Sequence, residues 1–258
     1  MKGLRIPARK DRAPAALLIL SCTAVLTMIV TLATGFLRED PVQASEHGQP
    51  AADAEAAYIG GHGTAIISFD DGPDPTWTPR VLGILRETHV HALFFLIGER
   101  AERYPDLVRQ IVADGNIVAN HTYTHPDPLR ISTAELAQEI DRTNEILTRI
   151  TGTTPTLFRP PYGHVPIELE QLMRQRSMRT VLWSDSPSDY QKPASSELVR
   201  RVLRTARLGP GTIVLLHDGD AAGGGDNRRQ TCLALMPMIA GLQRVGFVVS
   251  TVVPPRDP

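Results

Sequence analysis

Short apolar runs alternate with longer stretches of helical pattern through most of this 258-residue chain. The seven apolar runs are 65–69, 92–97, 117–119, 156–158, 180–183, 212–216 and 247–252. The stretches of helical pattern are 79–88, 105–114, 133–150, 166–177, 197–206 and 231–245. Alternation of this kind implies parallel strands joined by crossover helices, so we predict an α/β domain with an open sheet or an incomplete barrel.

The third of these predicted helices carries signals for both of its ends. Ser132 and Glu135 have the spacing of a capping box, in which each residue satisfies a backbone N–H of the first turn. Gly152 is suited to end the same helix, because glycine readily adopts the left-handed backbone conformation found just after helices. We therefore expect a helix with well-defined ends at 133–150.

The N-terminal part of the chain has the character of a membrane segment. Five basic residues between Lys2 and Arg12 precede an uncharged, apolar stretch at 13–37, as in a signal peptide or signal anchor with a cytoplasmic basic flank. The stretch is long enough to span a bilayer, whereas Val42-Gln43-Ala44 resembles a small-residue cleavage site. We favour an uncleaved anchor and keep cleavage as the alternative. In both cases we expect an extracytoplasmic protein, either membrane-anchored or secreted.

The residues after this segment suggest a linker followed by one domain. Residues 38–63 are rich in Ala, Gly and acidic residues and lack apolar periodicity, which predicts a flexible tether. We therefore predict a signal peptide or anchor at 1–37, a tether at 38–63 and a single catalytic domain at 64–258.

The charge balance limits the partners of the protein. The 27 Lys and Arg residues nearly balance the 28 Asp and Glu residues, so the chain has no basic field that would recruit nucleic acid. We expect a neutral or mildly charged partner, no nucleic acid, and membrane contact through the N-terminal segment. Nothing in the sequence specifies an oligomeric state.

Polar clusters directly follow five of the predicted strands. They are 70–71, 121–125, 159–163, 185–189 and 217–218. The carboxyl ends of parallel strands share one edge of a sheet or barrel, and active sites form at that edge. We therefore expect these clusters, which are far apart in the sequence, to meet in space.

Asp71, His121 and His125 form a candidate metal site. The two histidines are four residues apart, a spacing that brings imidazoles together on a helical turn or in a compact loop, and Pro126 favours the loop. With a carboxylate at the same edge they would make a two-histidine, one-aspartate site with positions open for water. Each motif also has a simpler interpretation, with the adjacent Asp70 and Asp71 in an Asx-type turn and the histidines at the surface.

Two interactions between side chains are expected beside this candidate site. The adjacent carboxylates of residues 70 and 71 repel each other and require a nearby cation, which Arg159 can supply in a bidentate pair with Asp70. Asp189 can hydrogen-bond His217 and raise the basicity of its ring. On its own, however, a histidine that ends an apolar strand is more often structural.

Five ordered motifs make the chain resemble the polysaccharide deacetylases of carbohydrate esterase family 4. SFDDGP is similar to the family's TFDDGP, HTYTH to its H-[ST]-x-x-H, FRPPYG to its arginine-proline-tyrosine motif, WSDSPSDY to its Asp-x-x-Asp-Trp region and LLHD to its Leu-x-His motif. The resemblance covers about 64–253, nearly the whole predicted domain. It implies a distorted (β/α) barrel of seven or eight parallel strands and a divalent metal, usually zinc, with cobalt or another divalent ion as alternatives.

The resemblance also implies roles for individual residues. Asp70 would be the catalytic base, His217 the general acid, and Arg159 the cation that steadies the base. The predicted site residues comprise the catalytic group Asp70, His217, Arg159 and Asp189, the metal ligands Asp71, His121 and His125, and the substrate or oxyanion group Tyr162, Pro161, Trp183 and Leu215. Within the last group the stiff Pro-Pro turn would aim the backbone N–H of Tyr162 over the metal. Two departures, Ser186 at the first aspartate position and Tyr190 at the tryptophan position, bear on which glycan fits.

The activity implied by the resemblance is hydrolytic removal of N-acetyl groups from a GlcNAc-containing polysaccharide or oligosaccharide, chitin-like or peptidoglycan, with release of acetate. O-deacetylation of acetylated xylan is the nearest alternative, because the same attack by water cleaves esters. A second alternative is a membrane-tethered, non-catalytic protein that binds wall glycans. The complete set of metal ligands with a flanking acid and base favours an enzyme, because a binding module needs no such set.

Overall fold

The computed structural model describes residues 63–206, 211–221 and 227–251. The strands of this part are β1 (Thr64–Asp70), β2 (Leu93–Leu96), β3 (Ile117–Asn120), β4 (Leu157–Phe158), β5 (Arg179–Thr180), β6 (Gly211–His217) and β7 (Val248–Val249). Its helices are α1 (Thr78–Thr88), α2 (Gly98–Arg103), α3 (Pro105–Ala113), α4 (Thr133–Thr151), α5 (Leu169–Gln175), α6 (Ser195–Ala206) and α7 (Arg229–Arg244). Short 3₁₀ turns lie at Pro161–Gly163 and Asp189–Gln191. The predicted membrane segment and all of the tether except Gly63 lie outside the described residues.

The strands form one parallel sheet in the order β5-β4-β3-β2-β1-β6, and β7 pairs with the start of β1. The sheet curls until its two edge strands approach each other. Asp185, just beyond β5, forms a bridge with Val214 of β6, and the Leu215 N–H donates to the Asp185 carbonyl at 2.8 Å. The seven parallel strands therefore make an incomplete barrel that a short segment closes, and the predicted distorted (β/α) barrel is confirmed.

The two faces of the curled sheet have separate cores. The helix-covered outer face packs side chains such as Ile67, Phe94 and Leu216 against α1, α6 and α7. The inner face packs the cluster Ile66, Leu93, Phe95, Ala119, Leu157, Val181 and Ile213. Because side chains alternate along a strand, the inner face also receives the residues two or four positions further on. Several of these are polar residues at the carboxyl ends of strands.

The helix α4 (Thr133–Thr151) has the predicted signals at both ends. The Ser132 hydroxyl accepts the Glu135 N–H, and the Glu135 carboxylate accepts the Ser132 N–H, which completes the capping box. Gly152 follows the helix with φ 73°, and its N–H donates to the Thr148 carbonyl. These two caps define where α4 begins and where it ends.

Most element bounds agree with the sequence predictions to within a few residues, with three clear differences. The strand predicted at 247–252 is wrong outside Val248–Val249 as far as residue 251, the last of the described residues. The helix α2 (Gly98–Arg103) was not predicted, because six residues are too few to show a helical period. The strand predicted at 180–183 is wrong beyond Thr180. There, the carbonyls of Val181 and Leu182 accept hydrogen bonds from the Arg159 side chain.

Within the described residues, no helix is both long enough and apolar enough to cross a bilayer. The stretch at 13–37, for which we predicted a membrane segment, is not among those residues.

Candidate metal and catalytic centre

Asp70 ends β1 on the inner face of the barrel and is only 3% exposed. Its two carboxylate oxygens face different partners. Arg159 Nη1 donates to Asp70 Oδ1 at 2.6 Å, and His121 Nε2 lies 3.6 Å from Asp70 Oδ2. The carboxylate is therefore held by a cation on one side and turned toward the histidines on the other.

Arg159 is the cation that the adjacent carboxylates require, and it is fully buried. The predicted bidentate pair with Asp70 is wrong, because only Nη1 contacts the carboxylate, and the same nitrogen also donates to the Ser68 hydroxyl at 2.9 Å. The remaining guanidinium nitrogens donate to the carbonyls of Val181 at 3.0 Å and Leu182 at 3.3 Å. Arg159 thus ties the Asp70 carboxylate to the backbone beyond β5.

Asp71 follows β1 in a left-handed backbone conformation, with φ 72°. The Asx-type turn considered for this motif is made by Asp74 instead, whose Oδ1 accepts the N–H groups of Thr76 and Trp77 at 2.8 and 2.9 Å. Asp71 Oδ2 accepts the Ala221 N–H at 3.3 Å. Its other oxygen, Oδ1, faces the side chains of His121 and His125.

Asp71, His121 and His125 converge as predicted. Nε2 of His121 and Nε2 of His125 lie 3.5 and 3.4 Å from Asp71 Oδ1, and ligand atoms of all three residues lie within 4.8 Å of one another. Ligand bonds of about 2.0–2.1 Å in a tetrahedron put neighbouring ligand atoms about 3.3–3.4 Å apart. The three residues therefore have the spacing needed to hold one ion, although their function as ligands stays a prediction.

The tautomer of His121 also fits a metal ligand. Its Nδ1 lies 2.6 Å from the Arg159 carbonyl oxygen, which can only accept, so Nδ1 carries the proton and donates. The lone pair is then on Nε2, the nitrogen that faces Asp71. Metal-binding histidines commonly have their second nitrogen oriented by a carbonyl in this way.

His125 lies in a loop rather than a helix, as Pro126 suggested, and has φ 61°. Burial, together with the neighbouring His121, lowers the pKa of His125 to about 4. Burial alone would raise the pKa of Asp71, but the adjacent His121 ring and the other nearby imidazoles outweigh burial and lower it. Neutral imidazole and ionised carboxylate are the protonation states that bind a metal ion.

His217 lies beside this triad, in register with Asp70 on the neighbouring strand. Asp189 Oδ1 is 2.7 Å from His217 Nδ1, and Asp189 Oδ2 accepts the His217 backbone N–H at 2.9 Å. Burial opposes protonation of His217, yet the charge and hydrogen bond of Asp189 raise its pKa to about 9. The raised pKa favours the protonated form of this imidazole, which lies beside the candidate metal site.

The four residues predicted on the substrate side differ from one another in their exposure to solvent. Tyr162 is 56% exposed, with φ 60°, and its ring centroid lies 4.9 Å from that of His125. Pro161, in the same turn, is buried. The ring of Trp183 packs so closely under this turn that a Cβ at Gly163 would lie 2.6 Å from it. Leu215 is 5% exposed within β6.

The two departures from the family motif differ in their surroundings. Tyr190 is 37% exposed, and its ring centroid lies 5.9 Å from that of His217 at 81°. Ser186 is exposed. The preceding residue, Asp185, is buried, and burial raises its pKa to about 7 despite the charge of Arg204. Of the two departures, Tyr190 is the one that lies beside His217.

Sequence reasoning missed two side chains that support the site from helices. The Thr231 hydroxyl of α7 donates to Asp189 Oδ2 at 2.9 Å. The Glu139 carboxylate of α4 accepts backbone N–H groups of the loop that carries the two histidines. Neither residue belongs to a motif, and each lies more than a dozen positions from its partner. A local pattern could not have identified either of them.

Comparison with known proteins places these observations in a family context. A family model described as polysaccharide deacetylase matches residues 59–181. A peptidoglycan-N-acetylglucosamine deacetylase of Bacillus cereus is 37% identical over 188 residues, covering 72% of this chain and 84% of that protein. A chitooligosaccharide deacetylase of a Bradyrhizobium species is 37% identical over 198 residues, covering 74% and 90%. The structure of peptidoglycan deacetylase PdaC from Bacillus subtilis matches with a TM-score of 0.65 and 34% identity, covering 74% and 88%.

Proposed function

This chain belongs to the polysaccharide deacetylase family, and on that basis we propose that it hydrolyses N-acetyl groups of a GlcNAc-containing glycan and releases acetate. Two of its relatives are described as deacetylases of peptidoglycan N-acetylglucosamine and of chitooligosaccharides. Both substrates present an N-acetylated glucosamine. This shared chemical group is therefore the proposed substrate, in a chitin-like oligomer or in peptidoglycan.

We propose that Asp71, His121 and His125 hold a divalent ion. Two neutral nitrogen ligands and one carboxylate form the donor set of hydrolytic zinc sites, which supports zinc over cobalt or another divalent ion. When bound, the ion supplies Lewis-acid polarisation of the acetyl carbonyl and increases the acidity of the attacking water.

Asp70 is the proposed general base. Its Oδ1 is engaged by Arg159 at 2.6 Å, so Oδ2, which lies 3.6 Å from His121 Nε2, is the oxygen directed toward the metal residues. In the reaction this carboxylate takes one proton from the attacking water while the new C–O bond forms. Arg159 orients the carboxylate for that step.

His217 is the proposed general acid. Collapse of the tetrahedral intermediate breaks the C–N bond, and the leaving amine must receive a proton. Because Asp189 raises the pKa of His217 to about 9, the ring is protonated at neutral pH and can donate. The products are acetate and a free amino sugar. The backbone N–H of Tyr162 is the proposed donor to the oxyanion, a contact typically worth about 3 kcal/mol.

The observation that carries this proposal is the pairing of an acid and a base beside the metal residues. Asp70 and His217 are register partners on β1 and β6, and Asp71 follows Asp70 directly. A protein that only binds glycans has no need of a protonated histidine held by a buried aspartate. The binding role that the sequence left open is therefore not the function we propose.

Acetate release is the direct test. The full-length chain is incubated with GlcNAc oligomers, peptidoglycan and acetylated xylan, with and without a chelator. We expect acetate from at least one GlcNAc-containing glycan, loss of activity with chelator, and recovery when zinc is added. Release from acetylated xylan alone would establish an O-acetyl esterase instead. Binding of glycan without any acetate would establish the non-catalytic role.

We also propose that the protein acts outside the cytoplasm, held by or released from its segment at 13–37. The basic flank and the apolar stretch support this location. Protease added to intact cells should digest the catalytic domain if the chain is anchored. An intact domain in that assay, with none in the medium, would contradict the proposal.

A further inference from the structure

The loop from His121 to His125 carries two of the three proposed metal ligands without belonging to a helix or a strand. Two of its residues, Thr122 with φ 65° and His125 with φ 61°, have left-handed backbones that are costly for residues other than glycine. Such a loop keeps its shape only if surrounding groups hold it. The positions of the two imidazoles therefore depend on what anchors this backbone.

Backbone N–H groups hold two carbonyl groups of the loop. The N–H groups of Gly98 and Glu99, at the start of α2, donate to the carbonyls of Thr122 and Tyr123 at 2.9 and 3.0 Å. No side-chain substitution removes these bonds. This side of the loop is consequently determined by the path of the main chain.

The N–H groups of Tyr123 and Thr124, in the middle of the loop, depend instead on one side chain. Glu139 Oε2, from α4, accepts the N–H groups of Tyr123 and Thr124 at 2.8 and 2.7 Å. Glu139 Oε1 accepts the Thr124 hydroxyl at 3.0 Å. Three hydrogen bonds from the middle of the loop thus end on a single carboxylate, midway between the two histidines.

Further contacts from α4 bring this carboxylate into position. Asn120 Nδ2 donates to the Ile140 carbonyl at 2.9 Å, and Asn120 Oδ1 accepts the Thr122 N–H at 2.8 Å. The Arg142 guanidinium lies 3.4 Å from the centroid of the Tyr123 ring. The helix therefore contacts the start and the middle of the histidine loop, and Glu139 lies between these contacts.

We infer that Glu139 is a positioning residue that holds His121 and His125 at ligand spacing before any ion binds, and so strengthens metal binding. This inference rests on the proposed function, because it assumes that the two histidines bind the ion. Without the carboxylate, two N–H groups lose their partner and the loop samples other conformations. Binding an ion would then have to order the loop, which lowers affinity.

Three substitutions separate hydrogen bonding from charge. E139A removes all three bonds. E139Q keeps them, because the amide oxygen can accept both N–H groups while its NH₂ donates to the Thr124 hydroxyl. E139D keeps the charge but is one methylene too short to reach the loop. Glu145 is exposed on the same helix, so E145Q is the matched control.

The measurement is zinc affinity of the full-length, metal-free chain by competition with a chelating dye. We expect E139A to bind zinc about 10–100-fold more weakly, the range found for groups that orient metal ligands. E139D should resemble E139A, whereas E139Q and E145Q should resemble the unchanged chain. Amide hydrogen exchange at Tyr123 and Thr124 should be faster in metal-free E139A. A merely structural role elsewhere in α4 would not change exchange at those two amides.

Several results would overturn the inference. One is a folded E139A or E139D, judged by circular dichroism, that binds zinc as tightly as E145Q. If E139A does not fold, E139D alone decides the matter. Another is E139Q as weak as E139A, which would assign the effect to charge. If the unchanged chain binds no zinc, this inference and the proposed metal site both fail. If it binds zinc but releases no acetate from any glycan, only the proposed function fails.

Discussion

Asp189 holds His217 at two points: its Oδ1 lies 2.7 Å from the ring nitrogen Nδ1, and its Oδ2 accepts the backbone N–H of the same residue at 2.9 Å. Thr231 donates to Oδ2 as well, at 2.9 Å. The ionised carboxylate therefore orients the imidazole and stabilises its protonated form. This pair determines the pH range in which the proposed general acid works.

Asp189→Asn should shift the alkaline limit of activity to lower pH. A general acid acts only while protonated, that is, below its pKa, and the pKa of His217 is raised to about 9 chiefly by Asp189. Asparagine fits the same space but supplies no charge, so the limit should fall toward the ordinary histidine pKa of about 6.5. The measurement is the pH profile of kcat for acetate release. Asp185→Asn, at a buried aspartate in the same segment, is the control and should leave the limit in place. An unmoved limit in D189N would rule out His217 as the acid.

Asp70→Asn and Asp71→Asn should have different effects although the residues are adjacent. In D70N the proposed base is lost, and kcat should fall by about 10²–10⁴-fold while zinc affinity is largely kept. In D71N a proposed ligand becomes neutral, so zinc affinity itself should fall. Both quantities are measured on each variant. Equal zinc affinity in D71N and the unchanged chain would contradict the ligand assignment, and normal turnover in D70N would contradict the base assignment.

Zinc should stabilise the unchanged chain against unfolding but not His125→Ala. An ion that binds only the folded state adds about 2.7 kcal/mol at a concentration 100 times its Kd. Removing one of three ligands should abolish most of that gain, which thermal unfolding with and without zinc would detect. His91 is exposed and outside the site, so His91→Ala should respond to zinc as the unchanged chain does. A zinc-induced shift of equal size in H125A would show that the ion binds elsewhere.

Arg159→Met should lower the free energy of unfolding by about 3–5 kcal/mol, because it leaves the buried Asp70 carboxylate without its cation. Methionine keeps much of the side-chain volume, so the loss reports mainly the missing charge and hydrogen bonds. Urea unfolding of the metal-free chain measures this loss. The double variant R159M/D70N removes the unpaired charge and should recover part of the stability. A double variant whose loss equals the sum of the two single losses would mean that the pair is not coupled.

Much of the site could be predicted from local sequence pattern. The period of two along β1 and β6 determines that Asp70 and His217 share a face with Ile66 and Ile213. Because all the strands run parallel, their polar carboxyl ends necessarily meet at one edge. The capping signals of α4 likewise depend only on residues within one turn. These features are local, so they can be read directly from the sequence.

The groups that support that site, in contrast, depend on how the elements pack together. Arg159 contacts Asp70 through one nitrogen because the curled sheet brings the carbonyls of Val181 and Leu182 to the other nitrogens. Thr231 and Glu139 reach the site from helices whose distance from it depends on how they pack against the barrel. Such contacts join residues far apart in the chain through packing of whole elements, and no short stretch of sequence encodes that packing. The candidate residues of the site could therefore be identified from its motifs, whereas the groups that support them became apparent only from the fold.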